Sequence, residues 1–333
     1  MKALLARDGA AALAEVPVPG IGDGELLLSL DVCGLCGTDV MKLDTKAENA
    51  VLGHELVGRV AKAGPGAPFR EGERIVVSHH VPCRDCHYCR KGQESMCRQF
   101  KATNIEPGGF ADFVRVPALH AKYAAFRVHD DLDPVAASQT EPLACVLRNV
   151  KRLGAGKGDV VGIVGLGAIG QMTGQLLTLF GATPVGLDLD AERAKAFSRW
   201  GKATTNGEEF ADAGRRASDG RGFDAVVYSA GTPALVGKSV SWVRDGGIVN
   251  VFASFHPDSV MPLDLNQIYF RELTVISSYS PSLADLKEAF ALIASRQFDP
   301  LALSPMTFPL SAFDDAVRAV KSRKTLKSVL VPG

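Results

Sequence analysis

Between Leu4 and about Val128 the apolar positions come in short runs broken by Gly and Pro: residues 25–32, 56–63, 74–77 and 111–116. Runs of this length bounded by turn formers read as strands, so the stretch predicts a mostly β domain. Residues 134–152 then read as a helical segment, after which the texture changes to strand, glycine-rich turn and helix. An apolar run at 160–164 leads into a helix at 168–180 and a second strand at 185–188, which is a βαβ unit. A helix at 191–200 and strands at 225–229, 248–252 and 273–277 continue the alternation. The economical fold for such alternation is a doubly wound parallel sheet. After Pro281 an amphipathic helix at 283–295 carries Leu286, Phe290 and Ile293 at helical spacing, and a final helix and strand run between 312 and 331. These are expected to return to the first domain. The predicted division is therefore 1–147 with 283–333 against 148–282, with no repeat, low-complexity tract or long linker. The domains are expected to pack directly, with a ligand cleft between them.

The bulk numbers narrow the class. A chain of 333 residues exceeds the size at which a single core usually stops growing, and 46% apolar with 22% charged residues excludes disorder. Lys plus Arg and Asp plus Glu both number 37, so no global field draws the protein to nucleic acid or an anionic membrane; a small-molecule partner fits better. No secretory signal opens the chain and no stretch approaches the roughly 18 to 20 apolar residues of a membrane span, so a cytoplasmic location is expected.

Seven cysteines suit no oxidised framework, and four of them, Cys83, Cys86, Cys89 and Cys97, have the spacing C-x2-C-x2-C-x7-C. A loop folding back on itself can set four thiolates tetrahedrally around one zinc, leaving no open position and hence a structural role. An iron-sulfur cluster is the nearest competitor, but its common run closes with C-x3-C-P, whereas here the last gap is longer and Arg98 stands in place of proline.

A second donor set is dispersed: Cys36 within Gly34-Leu35-Cys36-Gly37-Thr38-Asp39, His54 and Glu55 within Gly53-His54-Glu55, and Glu141 within Glu141-Pro142-Leu143. One thiolate, one imidazole and one or two carboxylates suit a zinc that keeps a position open and acts as a Lewis acid. Taken singly each residue has an ordinary reading as a buried thiol, a satisfied histidine or a surface carboxylate; only the combination is specific. Cys33 sits inside an apolar run and is expected in the core, which assigns the ligand role to Cys36. Thr38 can begin removal of an alcohol proton, and Asp39 can accept the second ring N–H of His54 and fix its tautomer.

The 160–164 strand runs into Gly165-Leu166-Gly167-Ala168-Ile169-Gly170 with a helix immediately behind, the context a G-x-G-x-x-G match requires. Gly165 permits the turn, Gly167 the approach of pyrophosphate and Gly170 the close helix, while Ala168 and Ile169 open the helix whose N-terminus favours the anion. Asp188 lies 23 residues after Gly165, where a carboxylate accepts the ribose hydroxyls and repels a 2'-phosphate, so NAD is expected over NADP. Arg193 is near enough to greet a phosphate or to be a solvated helix charge, and Phe252, closing a strand, is assigned to the cofactor side.

Jointly and in this order, these motifs resemble the zinc-dependent medium-chain dehydrogenase/reductase superfamily, specifically its sorbitol (polyol) and threonine dehydrogenase branch, over essentially the whole chain. The resemblance implies an α/β protein with a GroES-like, mostly β catalytic domain and a Rossmann domain, two zincs per subunit and NAD. It implies Cys36 and His54 as ligands of the catalytic zinc, with Glu55 and Glu141 sharing or alternating in the remaining role. It also implies that His80 faces the substrate and that Lys327 nears the cofactor and Glu55. Two departures stand out. Met41 occupies the position, five residues after Cys36, where many relatives place a relay histidine, so the proton route runs through Thr38 and the ribose or through His80. Residues 275–280 replace a substrate-contacting stretch that includes an arginine, and Tyr279 is the candidate pocket residue there.

The expected activity is hydride transfer between a secondary alcohol (polyol, cyclitol or amino alcohol) and NAD at a catalytic zinc. A biosynthetic reductase of bulkier ketones and an inactive zinc- and NAD-binding redox sensor are the alternatives. A homodimer or homotetramer is expected, with strand 273–277 at the pairing edge.

Overall fold

The computed structural model describes residues 1–7, 9–44, 50–256, 258–261 and 263–333, and resolves into two compact units. The first comprises Met1–Ala144 and Pro281–Gly333, the second Cys145–Ser280. No helix among the described residues is long and apolar enough to cross a membrane.

The first unit is built on strand Leu26–Gly34, which pairs antiparallel with Glu55–Ala63, Phe113–Val116 and Ser328–Val331. Arg74–Val77 and Ala125–Arg127 extend the sheet on one side and Met306–Pro309 on the other. Along the first half of Leu26–Gly34 burial alternates, Leu26, Leu28 and Leu30 facing the core with Leu56, Val60, Ile75, Phe110 and Val114. This is the period of two of a strand with one covered face. The register against Glu55–Ala63 shifts between Leu30 and Val32, and beyond that point Val32, Cys33 and Gly34 are all buried. An irregularity of this kind bends a strand and re-aims the chain beyond it, here the segment that carries Cys36. A three-stranded sheet, Ala10–Glu15, Lys2–Arg7 and Ala50–Val51, completes the unit's β structure.

The second unit is a parallel six-stranded sheet ordered Lys202–Thr204, Thr183–Leu187, Val160–Val164, Phe223–Tyr228, Val243–Val251, Thr274–Ser277. Chain order runs outward in both directions from Val160–Val164, so the switch point lies between that strand and Phe223–Tyr228, where ligands bind in open α/β sheets. Val160–Val164 is buried at every residue, as a strand covered on both faces must be.

The single helix expected over 134–152 is two: Pro134–Ser138, capped by Asp133, and Thr140–Leu153. Pro142 has no N–H to donate and is tolerated only in a helix's first turn, which a fresh start at Thr140 provides. Elements the hydrophobic pattern did not announce include strands Lys2–Arg7, Ala10–Glu15 and Lys202–Thr204 and helices Gly207–Ala217, Pro233–Lys238 and Leu265–Phe270.

Candidate metal centres and dinucleotide turn

Cys36 lies two residues past strand Leu26–Gly34 and immediately precedes helix Gly37–Asp44, while His54 immediately precedes Glu55–Ala63, the strand paired with Leu26–Gly34. Sheet pairing thus brings together residues eighteen apart in sequence, Gly34 opposing Glu55 in register. One ligand atom each from Cys36, His54 and Glu55 lies within 4.8 Å of the others. Asp39 organises the trio: it is fully buried, one carboxylate oxygen accepts the Cys36 N–H at 3.0 Å, and the other accepts the Gly53 N–H at 3.2 Å and lies 3.3 Å from His54 Nδ1. With Nδ1–H directed at a carboxylate, His54 Nε2 is the nitrogen left to bind a metal. Burial alone would lower the His54 imidazole, but the Asp39 charge reverses this and raises it well above the ordinary value.

Glu55 is also held from behind. Its two oxygens sit 2.7 Å and 2.5 Å from Lys327 Nζ, and both side chains are almost wholly buried. Burial would lower the Lys327 ammonium; Glu55, then Cys36, reverses this, and the net shift is upward. Gly34 makes room for the carboxylate, because a Cβ there would stand 1.8 Å from Glu55 Oε2. Glu141 stands outside the trio, buried in the first turn of helix Thr140–Leu153. Cys33 is fully buried in the apolar core, its thiol pushed well up by burial. Thr38 is exposed on the first turn of helix Gly37–Asp44, and Met41, 46% exposed, offers no ionisable group.

A row of rings runs beside this trio. The His79 ring centroid is 4.7 Å from that of His54 and 3.9 Å from that of His80, which in turn lies 4.8 Å from Phe100. His80 Nδ1 donates to the Thr103 carbonyl at 2.6 Å. Burial first, then the charges of neighbouring His54, Lys42 and His120, outweigh that bond and bring His80 down to about 4. Sequence reasoning singled out His80 and passed over His79; nothing in the spacing shows that the His79 ring lies against that of His54, tilted at 45°.

Cys83, Cys86, Cys89 and Cys97 all carry free thiols clustered in one loop. Cys89 Sγ is 3.6 Å from Cys86 Sγ and 3.9 Å from Cys83 Sγ. Tetrahedral zinc with sulfurs at about 2.3 Å sets them about 3.8 Å apart, so the quartet has the size of a zinc site. Backbone N–H donors also address the sulfurs: Cys83 N–H to Cys97 Sγ at 3.4 Å and Cys86 N–H to Cys83 Sγ at 3.3 Å.

In the second unit Gly165 holds φ +88, and a side chain there would collide with Ala230 at 2.6 Å. A Cβ at Gly170 would stand 2.0 Å from the Gly165 carbonyl, whereas one at Gly167 would meet only Arg193 Nη1, at 3.9 Å. The turn is therefore tight where helix meets strand and open where a pyrophosphate approaches the N-terminus of helix Ala168–Leu179. Ala168 and Ile169 form that first turn, half-buried. Asp188 accepts the Leu166 N–H at 2.7 Å and the Asp190 N–H at 2.9 Å, one on each oxygen, and Arg193 Nη1 is 4.0 Å away. Each oxygen keeps a lone pair for a ribose hydroxyl. The Phe252 N–H is committed to the Tyr228 carbonyl at 2.9 Å, and Tyr279 is 61% exposed.

Comparison with known proteins agrees with both units. Residues 22–124 match the alcohol dehydrogenase GroES-like domain and residues 168–295 the zinc-binding dehydrogenase family. The chain is 31% identical to D-altritol 5-dehydrogenase of Agrobacterium fabrum over 86% of its own length and 85% of the relative's. It is 28% identical to L-threonine 3-dehydrogenase of Bacillus subtilis, covering 100% and 99%. A Sinorhizobium meliloti protein described as a zinc-binding dehydrogenase, solved bound to NADP, superposes with a TM-score of 0.88 at 28% identity, covering 99% of both chains.

Proposed function

Because the chain belongs to the zinc-dependent medium-chain dehydrogenase/reductase superfamily, in its polyol- and threonine-dehydrogenase-like branch, we propose that it oxidises a secondary alcohol bearing a neighbouring polar group. A polyol, a cyclitol or an amino alcohol meets that description. The observation that carries this reading is the convergence of Cys36, His54 and Glu55 within 4.8 Å, with His54 oriented by a buried Asp39. When bound, the zinc supplies a Lewis acid that brings loss of the alcohol proton near neutral pH, and the nicotinamide supplies the hydride acceptor. Cys36 and His54 hold the metal, and Glu55 and Glu141 share the remaining protein position, Lys327 competing for the former. Thr38 begins removal of the alcohol proton. Neither the bulky-ketone reductase nor the inactive sensor is favoured by the relatives.

The Cys83 to Cys97 quartet takes a second, structural zinc, giving two per chain. The cofactor is NAD rather than NADP: Asp188 is set to accept ribose hydroxyls and to repel a 2'-phosphate, with Arg193 offsetting that repulsion in part. The seven free cysteines fit a reducing cytoplasm. Assembly proceeds through the second unit, where Thr274–Ser277 is an edge strand and Leu265, Tyr269 and Phe270 are each at least 74% exposed nearby in sequence. An open edge beside exposed apolar side chains pairs readily with a second copy across a two-fold axis.

The test is NADH formation by zinc-replete protein against secondary alcohols, polyols and L-threonine, with NADP and a chelator-treated sample in parallel. Turnover sensitive to chelation, faster with NAD and abolished in Cys36→Ser without loss of fold is the expected result. Dinucleotide binding with no turnover of any alcohol overturns the reading.

A further inference from the structure

Helix Gly37–Asp44 begins directly behind Cys36 and has two distinct faces. Asp39 and Leu43, four residues apart, are buried, whereas Thr38, Met41 and Lys42 are exposed. Residues three and four apart lie on one side of a helix, so the Thr38 hydroxyl and the Lys42 ammonium share the open face, about 6 Å apart along the axis. The charge of Lys42 also reaches the row of rings. Burial does most to hold the His79 and His80 imidazoles below their ordinary value, and Lys42 is among the charges that add to it. Such an influence fades beyond about 10 Å, and the His79 ring lies 4.7 Å from that of His54. Lys42 is therefore in reach of the flank of the Cys36, His54 and Glu55 trio as well as of Thr38. The charged pairs at the trio are closed on themselves, Asp39 on His54 and Glu55 on Lys327, so neither offers a charge to a substrate. An ammonium has three donors and no acceptor, so Lys42 cannot supply the relay base that Met41 lacks. What it supplies is a positive charge one helical turn from the hydroxyl at which the alcohol proton leaves.

Resting on the alcohol-dehydrogenase reading above, we infer that Lys42 is a specificity-determining residue: its ammonium binds an anionic group, carboxylate or phosphate, that the substrate carries about 6 Å from the alcohol oxidised. An aliphatic chain of a few carbons spans that distance, so an alcohol oxygen beside Thr38 sets the anion at the next turn of the same helix face. The substrate class is then a hydroxy acid or a phosphorylated polyol in preference to a neutral one. A charge-assisted hydrogen bond is roughly twice as strong as a neutral one, and an uncharged alcohol of the same length leaves it unmade.

The experiment compares wild type, Lys42→Met and Lys42→Arg on two matched pairs, 4-hydroxypentanoate against 1,4-pentanediol and sorbitol 6-phosphate against sorbitol, reading the charged to neutral ratio of kcat/KM. The two pairs separate carboxylate from phosphate as the anion. Wild type is expected to favour the charged member of at least one pair, and that ratio to fall about 10-fold in Lys42→Met and to be largely restored in Lys42→Arg. Raising salt to about 0.5 M should lower the wild-type ratio. In calorimetric titration, the ketone formed from the favoured charged substrate should bind Lys42→Met about 10-fold more weakly than wild type. A wild type that favours the neutral member of both pairs, an unaltered ratio in Lys42→Met, or a ratio as low in Lys42→Arg as in Lys42→Met overturns the assignment while leaving the dehydrogenase reading standing. A wild type that turns over none of the four nor any other alcohol overturns both.

Discussion

At the scale of single residues the buried pair of Lys327 and Glu55 is where a substitution should tell most. Lys327→Met removes the cation and leaves a carboxylate in the interior, so unfolding free energy in urea should fall by about 3–5 kcal/mol in zinc-free protein. His80 gives a pH signature. Its folded value of about 4 lies below the ordinary 6.5, so between these limits the unfolded chain binds a proton that the folded chain refuses. Its stabilising effect is complete above that window and is lost as pH drops through it. The urea midpoint of wild type should accordingly fall more steeply from about pH 6.5 to about 4 than that of His80→Gln, and parallel profiles would count against burial of a neutral ring. What the sequence offered at this scale was donor chemistry. Cys36, His54 and Glu55 were legible as a set because their residue types are rare in combination. The ring contact between His79 and His54 depends on how two segments cross, and no local pattern encodes that.

Among the elements, those with a strong local signature were read nearly to the residue. Val160–Val164 stood out because a strand buried on both faces is uninterrupted in its hydrophobicity, and the glycines behind it fix the turn. Ala10–Glu15 escaped because alanine-rich sequence has little β character, and Lys202–Thr204 because three residues carry no period. Helix Gly207–Ala217 has a cap that could have been found: Asn206 accepts the Glu209 N–H, ahead of two acidic residues in the first turn. The close approach of helix Ala168–Leu179 to its strand is open to test. Gly170→Ala drives a methyl toward the Gly165 carbonyl, so stability should drop by about 1–3 kcal/mol and NADH should bind more weakly in a fluorescence titration. Unchanged NADH affinity would separate the turn's geometry from cofactor binding.

For the whole molecule, two zincs and one assembly edge are at issue. Metal analysis should give two zincs per chain in wild type and one in Cys89→Ser, whose thermal midpoint should fall because a structural zinc contributes folding energy directly. Val275→Pro removes an N–H from the middle of the edge strand; sedimentation should show it shifted toward monomer, and an unchanged oligomer would move the interface elsewhere. The division into two units was readable from the change of texture near residue 150, but the return of the chain to the first unit was only an extrapolation from one helix and one strand. That return bears on how the protein is made. Glu55 emerges from the ribosome 272 residues before Lys327, which at about 5–20 residues per second means roughly 14 to 54 seconds of translation with the carboxylate lacking its counter-charge. The metal site's hinterland is thus finished only after the entire second unit has been synthesised, and a nascent chain interrupted between Glu141 and Lys327 has every candidate ligand but not the ion pair that steadies one of them.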